Sequence, residues 1–452
     1  MNYKIISFNH KIEINTIMKY KHLIYFLLLG LLLDGCKKED SLEINSQISG
    51  VKIYSEITAG TENPSIKISV GKDRLYMTSG SSTIFGFFVN GLAYLPTAQI
   101  KINLLCSDLD GNLLWSNELP KKGLTTSRLV ELNDGSSIVV GTNNSGFVQG
   151  INPKNIYIFR YNSSGEQLSV DSLYLPSDLQ VNYNSFISLD ILSRENGNIL
   201  MYGTVSDETT YNSISFAVEY DVNNGIQWGK RITINEFSSS VLYSCVPTKD
   251  GGYIFYGHLA ANSITGSAYS SKAFLAKTDV NCDTTWTRWY DYFNFQVPYP
   301  GVSLYSNVIE TSSGGFCFSA TEFSDDSYEN YRSKIYEVDN KGDSISAVTL
   351  QPSSTTFCPL LMNVNSNTIH AFVYDRVVPF AEPLNDGVFT QINSETYVFG
   401  NKLKLLSKAP IQNFRGDLIL DACKLPNGKI AQYGIFNNQK KTGYNPGIIF
   451  IK

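Results

Sequence analysis

A glycine-containing turn followed by a short β-rich run that ends on a small residue recurs through this chain of 452 residues at intervals close to sixty. The clearest copies run from Asn133-Asp134-Gly135 to Gly141, from Glu195-Asn196-Gly197 to Gly203 and from Asp250-Gly251-Gly252 to Gly257. Weaker copies run from Ser313-Gly314-Gly315 to Ala320, from Asn365-Ser366-Asn367 to Phe372 and from Pro426-Asn427-Gly428 to Gly434, with a degenerate first copy from Asp73-Arg74-Leu75 to Gly80. The seven closing residues are separated by 61, 62, 54, 63, 52 and 62 residues. A period of this length marks a repeat architecture, because one such unit cannot bury its apolar face alone and must stack on its neighbours.

Each unit carries a second half, an apolar strand closed by an Asp or Asn turn and followed by another strand. Examples are Asp108-Leu109-Asp110-Gly111-Asn112 before Trp115, Asn162-Ser163-Ser164-Gly165, Asp221-Val222-Asn223-Asn224-Gly225 before Trp228, Asp279 before Trp286, and Asp339-Asn340-Lys341-Gly342, with Asn393 in the sixth unit. Asx-Gly turns between alternating runs signal hairpins, since both residues tolerate positive φ. Four strands per unit, repeated seven times, predict an all-β chain folded as one β-propeller, which hides its sheet edges by closing a ring. Ring closure is itself legible: the seventh unit stops after its third strand, Ile448 to Lys452, and the spare strand Val51 to Ile57 precedes the first unit's inner strand near Ile66 to Val70. An N-terminal outer strand is therefore expected to complete the last blade.

Composition suits that reading and removes others. Aromatic residues make up 13% and charged residues 17%, with 34 glycines, which favours short strands and tight turns over helices or disorder. A net charge of −5 gives no basic excess for nucleic acid, and none is expected as a partner.

The units, most clearly Thr248 to Gly257 and Phe274 to Asp279 with Trp286, resemble the DGGY-type propeller repeats of Bacteroidetes surface proteins. That resemblance covers residues 51–452 and implies architecture only. At the other end, Lys19, Lys21 and His22 precede the apolar run Leu23 to Leu33, about 11 residues, the size of a secretory signal rather than a membrane span. Met18 offers an alternative start. Leu33-Asp34-Gly35-Cys36 resembles a lipoprotein signal, with Asp34 where a small residue is commoner. The resemblance implies cleavage after residue 35, lipidation of Cys36 and a tether over 36–50. Lys37, Lys38, Glu39 and Asp40 resemble the surface-export signal of Bacteroidetes lipoproteins, which implies an outer-membrane protein facing the medium.

Sites of chemistry are sparse. Beyond the signal only His258, at the start of a loop, and His370, within a strand, are available, and histidine is the commonest catalytic base and metal ligand. No metal site or cofactor is expected. Asp108 to Asn112 places its glycine too early for a calcium loop and reads as a hairpin turn. Cys106, Cys245, Cys282, Cys317, Cys358 and Cys423 show no metal-like spacing, and Cys358 with Cys423, on neighbouring inner strands, is the one pair expected to be worth testing for a bridge.

Long loops at one mouth of the ring are expected to form an aromatic ligand or partner face: Phe85, Phe87, Phe88 and Tyr94; then Trp289, Tyr290, Tyr292, Phe295 and Tyr299 after Trp286; then Tyr328 and Tyr331. Such platforms suit sugars and proteins alike. Asp40-Ser41, Asp171-Ser172, Asp283-Thr284 and Asp343-Ser344 match a Bacteroidetes O-glycosylation pattern, which marks Ser41, Ser172, Thr284 and Ser344. These features together lead to the expectation of a non-catalytic lipoprotein that binds an outer-membrane protein complex or a glycan. The alternative is a polysaccharide lyase or glycoside hydrolase, with Asp325, Asp326, Tyr328, Glu329 and Arg332 as the candidate residues.

Overall fold

The computed structural model describes residues 48–57, 67–81, 87–89, 92–94, 101–121, 124–142, 155–179, 185–206, 213–232, 239–260, 271–291, 307–323, 331–365, 367–376, 392–410, 418–437 and 444–451, apart from 351–359. All belong to the second of two compact units, Ser46–Lys452; the first is Met1–Asn45.

The second unit is a seven-bladed β-propeller. Blades 1 to 6 each run in sequence order from an inner to an outer strand, all antiparallel. The inner strands are Lys67–Val70, Thr125–Thr126 with Val130–Glu131, Ser185–Ser193, Ser239–Pro247, Val308–Glu310 and Leu360–Asn365. Blade 7 starts at Leu418–Lys424, and its fourth strand is the N-terminal Ile48–Ile53, which pairs with Tyr444–Ile451 through Val51 opposite Ile449. The expected closure is therefore present, three residues earlier in the chain than the sequence placed its start. Inner strands touch inner strands all the way round, and the inner strand of blade 7 lies against that of blade 1.

The core is divided among the interfaces between blades. Alternate residues of each strand face opposite neighbours, so Phe255 and Leu259 join Tyr202 between blades 3 and 4, while Ile254 and Tyr256 join Phe316 and Phe318 between blades 4 and 5. The recurrent tryptophans have a related use. Trp115 on the outer strand of blade 1 lies over Gly165 in the next blade's turn, and Trp286 donates its indole N–H to the Asn340 carbonyl of blade 5 at 3.1 Å. Asp108 to Asn112 is the hairpin turn expected, with the Asp108 carboxylate accepting the backbone N–H groups of Asp110 and Asn112.

The small residue that closes several of the repeats lies beside a bulge. In blades 3, 4 and 7 the inner strand bulges beside it, between Phe186 and Ser188, Leu242 and Ser244, and Ile419 and Asp421. The bulge drives a carbonyl onto the glycine: a Cβ on Gly257 would stand 2.0 Å from the Val241 oxygen, and one on Gly203 2.2 Å from that of Ser188. Gly257→Ala should therefore cost about 1–3 kcal/mol by overpacking against backbone, read as a lower urea midpoint; a change within about 0.5 kcal/mol would show that the strands separate freely.

Blade 6 departs from the sequence reading twice. Across the turn, residue n of the inner strand pairs with n+6 in blades 2 to 7, as Ser193 with Ile199 and Asn363 with Ile369. That phase makes Val373, not Phe372, the equivalent of Gly203 and Gly257. Phe372 points the other way, toward blade 7, and the bulge of this blade lies lower, between Asn363 and Asn365, so no carbonyl excludes a side chain. Asn393 is not a turn residue either: it sits in the third strand, Ile392–Phe399, and the turn is Gly400 to Lys404, where Lys402 and Leu403 rather than a glycine take positive φ.

Candidate functional site

One position of every innermost segment, three residues before its last regularly paired residue, forms a ring; five members lie within the inner strands, Arg128 between the two short strands of blade 2 and Asn307 just before the inner strand of blade 5. Its members are Lys67, Arg128, Asp190, Ser244, Asn307, Leu360 and Asp421, counted from Val70, Glu131, Ser193, Pro247, Glu310, Asn363 and Lys424. Six of the seven are polar, on strands whose other residues are mainly apolar. Four of them converge.

Asp190 is the centre. Lys67 Nζ of blade 1 reaches its Oδ2 at 2.8 Å, and Arg128 of blade 2 donates to the same oxygen from Nε at 3.2 Å and Nη2 at 3.1 Å. The Tyr202 hydroxyl adds a fourth donor to Oδ2 at 3.3 Å. Oδ1 accepts the backbone N–H groups of Arg128 at 2.8 Å and Ile191 at 2.9 Å. Asp421 makes the corresponding link from blade 7, with Oδ2 accepting from Ile68 N at 3.0 Å and Oδ1 from Ala422 N at 2.9 Å. In blade 5 Asn307 does the same for blade 6, bonded to both the N–H and the carbonyl of Leu361 at 2.8 Å.

The two carboxyls differ in electrostatics. Burial would raise the pKa of Asp190, but Arg128 and Lys67 overcome it and hold the group well below the usual carboxylate range. For Asp421 burial wins, and its pKa stands above the ordinary value although Arg128 and the Ile68 N–H pull it down. Burial likewise opposes the charge on Arg128, and Asp190 and Asp421 more than restore it. The Asp190 side chain is 4% exposed, whereas Lys67 and Arg128 keep 22% and 27%, and Asp421 is half-buried. Asp190, with both oxygens fully engaged, positions the two cations. Lys67, Arg128 and Asp421 are the members that a ligand can reach.

His258 lies within the strand Tyr253–Ala260, not in a loop, and is buried. Its Nδ1 is hydrogen-bonded to the Tyr243 hydroxyl, with the rings stacked at 5.2 Å. Burial pushes its pKa down to about 4, and that of His370 likewise. Among the described residues no group of three or more His, Cys, Asp or Glu is placed to hold a metal.

The expected aromatic face is only partly described. Phe87 and Phe88 pair with Ala93 and Tyr94 in a small hairpin inserted in blade 1. Trp289 and Tyr290 are on the outer strand Thr284–Asp291, not in the loop beyond it. Trp289 is 37% exposed, but Tyr290 packs on Phe318 at 4.8 Å and donates to the Gly342 carbonyl at 2.7 Å, joining blade 4 to blade 5. Tyr331 opens the third strand of blade 5, with Arg332 next to it. Phe85, Tyr292, Phe295, Tyr299, Asp325, Asp326, Tyr328 and Glu329 lie outside the described residues, as do Cys36 to Asp40, Ser41 and Cys358. Ser172, Thr284 and Ser344 are exposed on outer strands. Cys106, Cys245, Cys282, Cys317 and Cys423 are free thiols.

No family model and no curated protein matches the chain. Among solved structures it is similar to the polysaccharide lyase Uly1, with 10% identity and a TM-score of 0.49 over 85% of this chain and 89% of that one. It is also similar to an endo-arabinase from Bacteroides thetaiotaomicron (11%, TM-score 0.36, 72% and 95% covered) and to an α-L-arabinofuranosidase from Fusarium graminearum (10%, 0.40, 72% and 92%). These likenesses speak to the fold alone. The expectation of a non-catalytic protein is corrected: the solved structures similar to this chain are mainly named as enzymes, and scarcity of histidine is by itself no ground for that expectation. Carboxyl groups can supply the acid and base instead.

Proposed function

We propose that the chain is a carbohydrate-active enzyme, a polysaccharide lyase or glycoside hydrolase, working at the inner-strand ring. The observation that carries this reading is Asp421, a half-buried carboxyl whose pKa is raised by burial, standing with Arg128 and Lys67 around the ionised Asp190. Environments that push two carboxyls apart in pKa are how one site supplies both acid and charge. Hydrolysis breaks the glycosidic C–O bond with a proton delivered to the departing oxygen while water adds at the anomeric carbon and returns a proton; β-elimination instead removes the proton next to a uronate carboxylate and delivers one to the departing oxygen. Asp421 donates the proton to the departing oxygen, and in the elimination, where negative charge develops on the uronate, Lys67 and Arg128 stabilise it.

The location we propose is the outer membrane. A lipidated Cys36 anchors the chain there, Lys37, Lys38, Glu39 and Asp40 direct it to the cell surface, and Ser172, Thr284 and Ser344 are available for O-glycosylation. A glycan brought to that surface, or an outer-membrane complex that imports it, is the partner. The supporting features are the signal residues and the exposure of the three hydroxyls.

The test is to incubate the full chain with a panel of neutral and acidic polysaccharides, measuring new reducing ends and the ultraviolet absorbance of unsaturated sugars. New ends on at least one polymer are expected, and accompanying absorbance identifies a lyase. Intact polymers throughout the panel would overturn the enzyme reading.

A further inference from the structure

We infer that Lys67 and Arg128 form a binding site for an oxyanion, so that the glycan recognised at the ring is an acidic one, bearing a carboxylate or a sulfate ester on the unit bound there. The inference rests on the carbohydrate reading above and narrows it to a substrate class.

The argument is one of charge and donor accounting. Two cations converge on the single carboxylate of Asp190, both reaching its Oδ2. Donors are also left over. An ammonium has three N–H groups and a guanidinium five. Among the described residues Lys67 Nζ gives one bond, to Asp190, while Arg128 uses Nε and Nη2 on the same carboxylate and leaves Nη1 available. Both side chains keep about a quarter of their surface open, so the remaining N–H groups are reachable.

The donors are also held in place. Asp190 fixes the guanidinium along one edge and is itself locked by Tyr202 and two backbone N–H groups. A cation orbiting on a free side chain loses rotamer entropy when it binds an anion; these two have already lost it in folding. A planar carboxylate suits the free edge of a guanidinium, and a tetrahedral sulfate can bridge the guanidinium and the ammonium. A neutral sugar offers neither charge nor enough acceptor strength to use this arrangement.

Binding of inorganic sulfate and of glucuronate to the full chain, followed by the shift of the thermal midpoint against sodium chloride at equal ionic strength, tests the inference. A saturable rise with at least one of the two is expected, with glucose inert. A response to glucuronate alone indicates a carboxylate ligand, and to sulfate alone a sulfate ester. Lys67→Gln should weaken the binding about tenfold or more, while Lys67→Arg retains it, which separates a lost donor from a damaged fold. Shifts no larger than those in chloride, or binding unchanged in Lys67→Gln, would overturn the oxyanion site. Cleavage of neutral polysaccharides with no anion effect would overturn it while leaving the enzyme reading intact; anion binding without any cleavage does the reverse.

Discussion

Replacing Asp190 with asparagine is expected to lower the stability of the propeller by about 3–5 kcal/mol, the cost of removing one partner from a buried ion cluster. The loss has three parts. Lys67 and Arg128 would keep their charges without the carboxylate that neutralises them, the Tyr202 hydroxyl would lose its acceptor, and blades 1, 2 and 3 would lose the side chain that joins them. Pairing Asp190→Asn with Lys67→Met should recover part of the loss, because one of the stranded charges is then gone. Urea unfolding of the two single variants and the double variant measures this. A single Asp190→Asn variant as stable as the parent would mean that the cluster is solvated well enough to need no partner. The pH dependence has a definite sign as well. Since the folded pKa of Asp190 is depressed, its contribution is present above the ordinary carboxylate range and is lost as pH falls through the folded value. Asp421, raised instead, acts oppositely and becomes less costly to bury on acidification.

A second large effect is expected at milder acidity. His258 and His370, 7% and 8% exposed, are both pushed by burial from 6.5 down to about 4. Below pH 6.5 the unfolded chain takes up protons that the folded chain refuses. Stability should therefore fall between about pH 6.5 and about pH 4 and then level off, by up to about 3 kcal/mol for each histidine. His370→Phe isolates half of this. Its Nδ1 is buried with no hydrogen-bond partner among the described residues, and it already packs edge-on against Phe372 at 6.3 Å, so an apolar ring should be accepted. The variant should match or exceed the parent's stability at neutral pH and show about half its decline on acidification. An unchanged decline would place the acid sensitivity elsewhere.

Fold and site differ in how far the sequence reveals them. Turn glycines such as Gly251, at φ +86, are dictated locally, so their spacing exposes five of the units outright, and the intervals between closing residues place the other two. The unpaired strand at each end of the chain exposes the closure. Blade 6 is misphased in the sequence because its turn, Asn365-Ser366-Asn367, carries no glycine and its inner-strand bulge is displaced, so Phe372 stands in for Val373. The ring escapes notice for a different reason. The repeats align on the small residue of the second strand, while the informative position is on the first, where Lys67, Arg128, Asp190, Ser244, Asn307 and Asp421 interrupt mainly apolar runs. A polar residue recurring at one buried register across blades is the signal that could have found it. Which of these groups meet is not written in any local pattern: Lys67 and Asp190 are 123 residues apart with a whole blade between them, and Asp421 and Ile68, 353 residues apart, come together only because the ring closes.

Turnover by Asp421→Asn tests the central claim most directly. The amide closely matches the neutral carboxyl in shape but offers one acceptor where the carboxyl offers two, so one of the bonds from Ile68 N and Ala422 N is lost and the thermal midpoint should fall by the equivalent of about 1–3 kcal/mol with the fold retained. On a polysaccharide that the parent cleaves, its kcat should drop about 10²–10⁴-fold, the contribution of a positioned general acid. A folded Asp421→Asn variant that cleaves the same polymer at the parent's rate would contradict the assignment of the chemistry to the inner-strand ring.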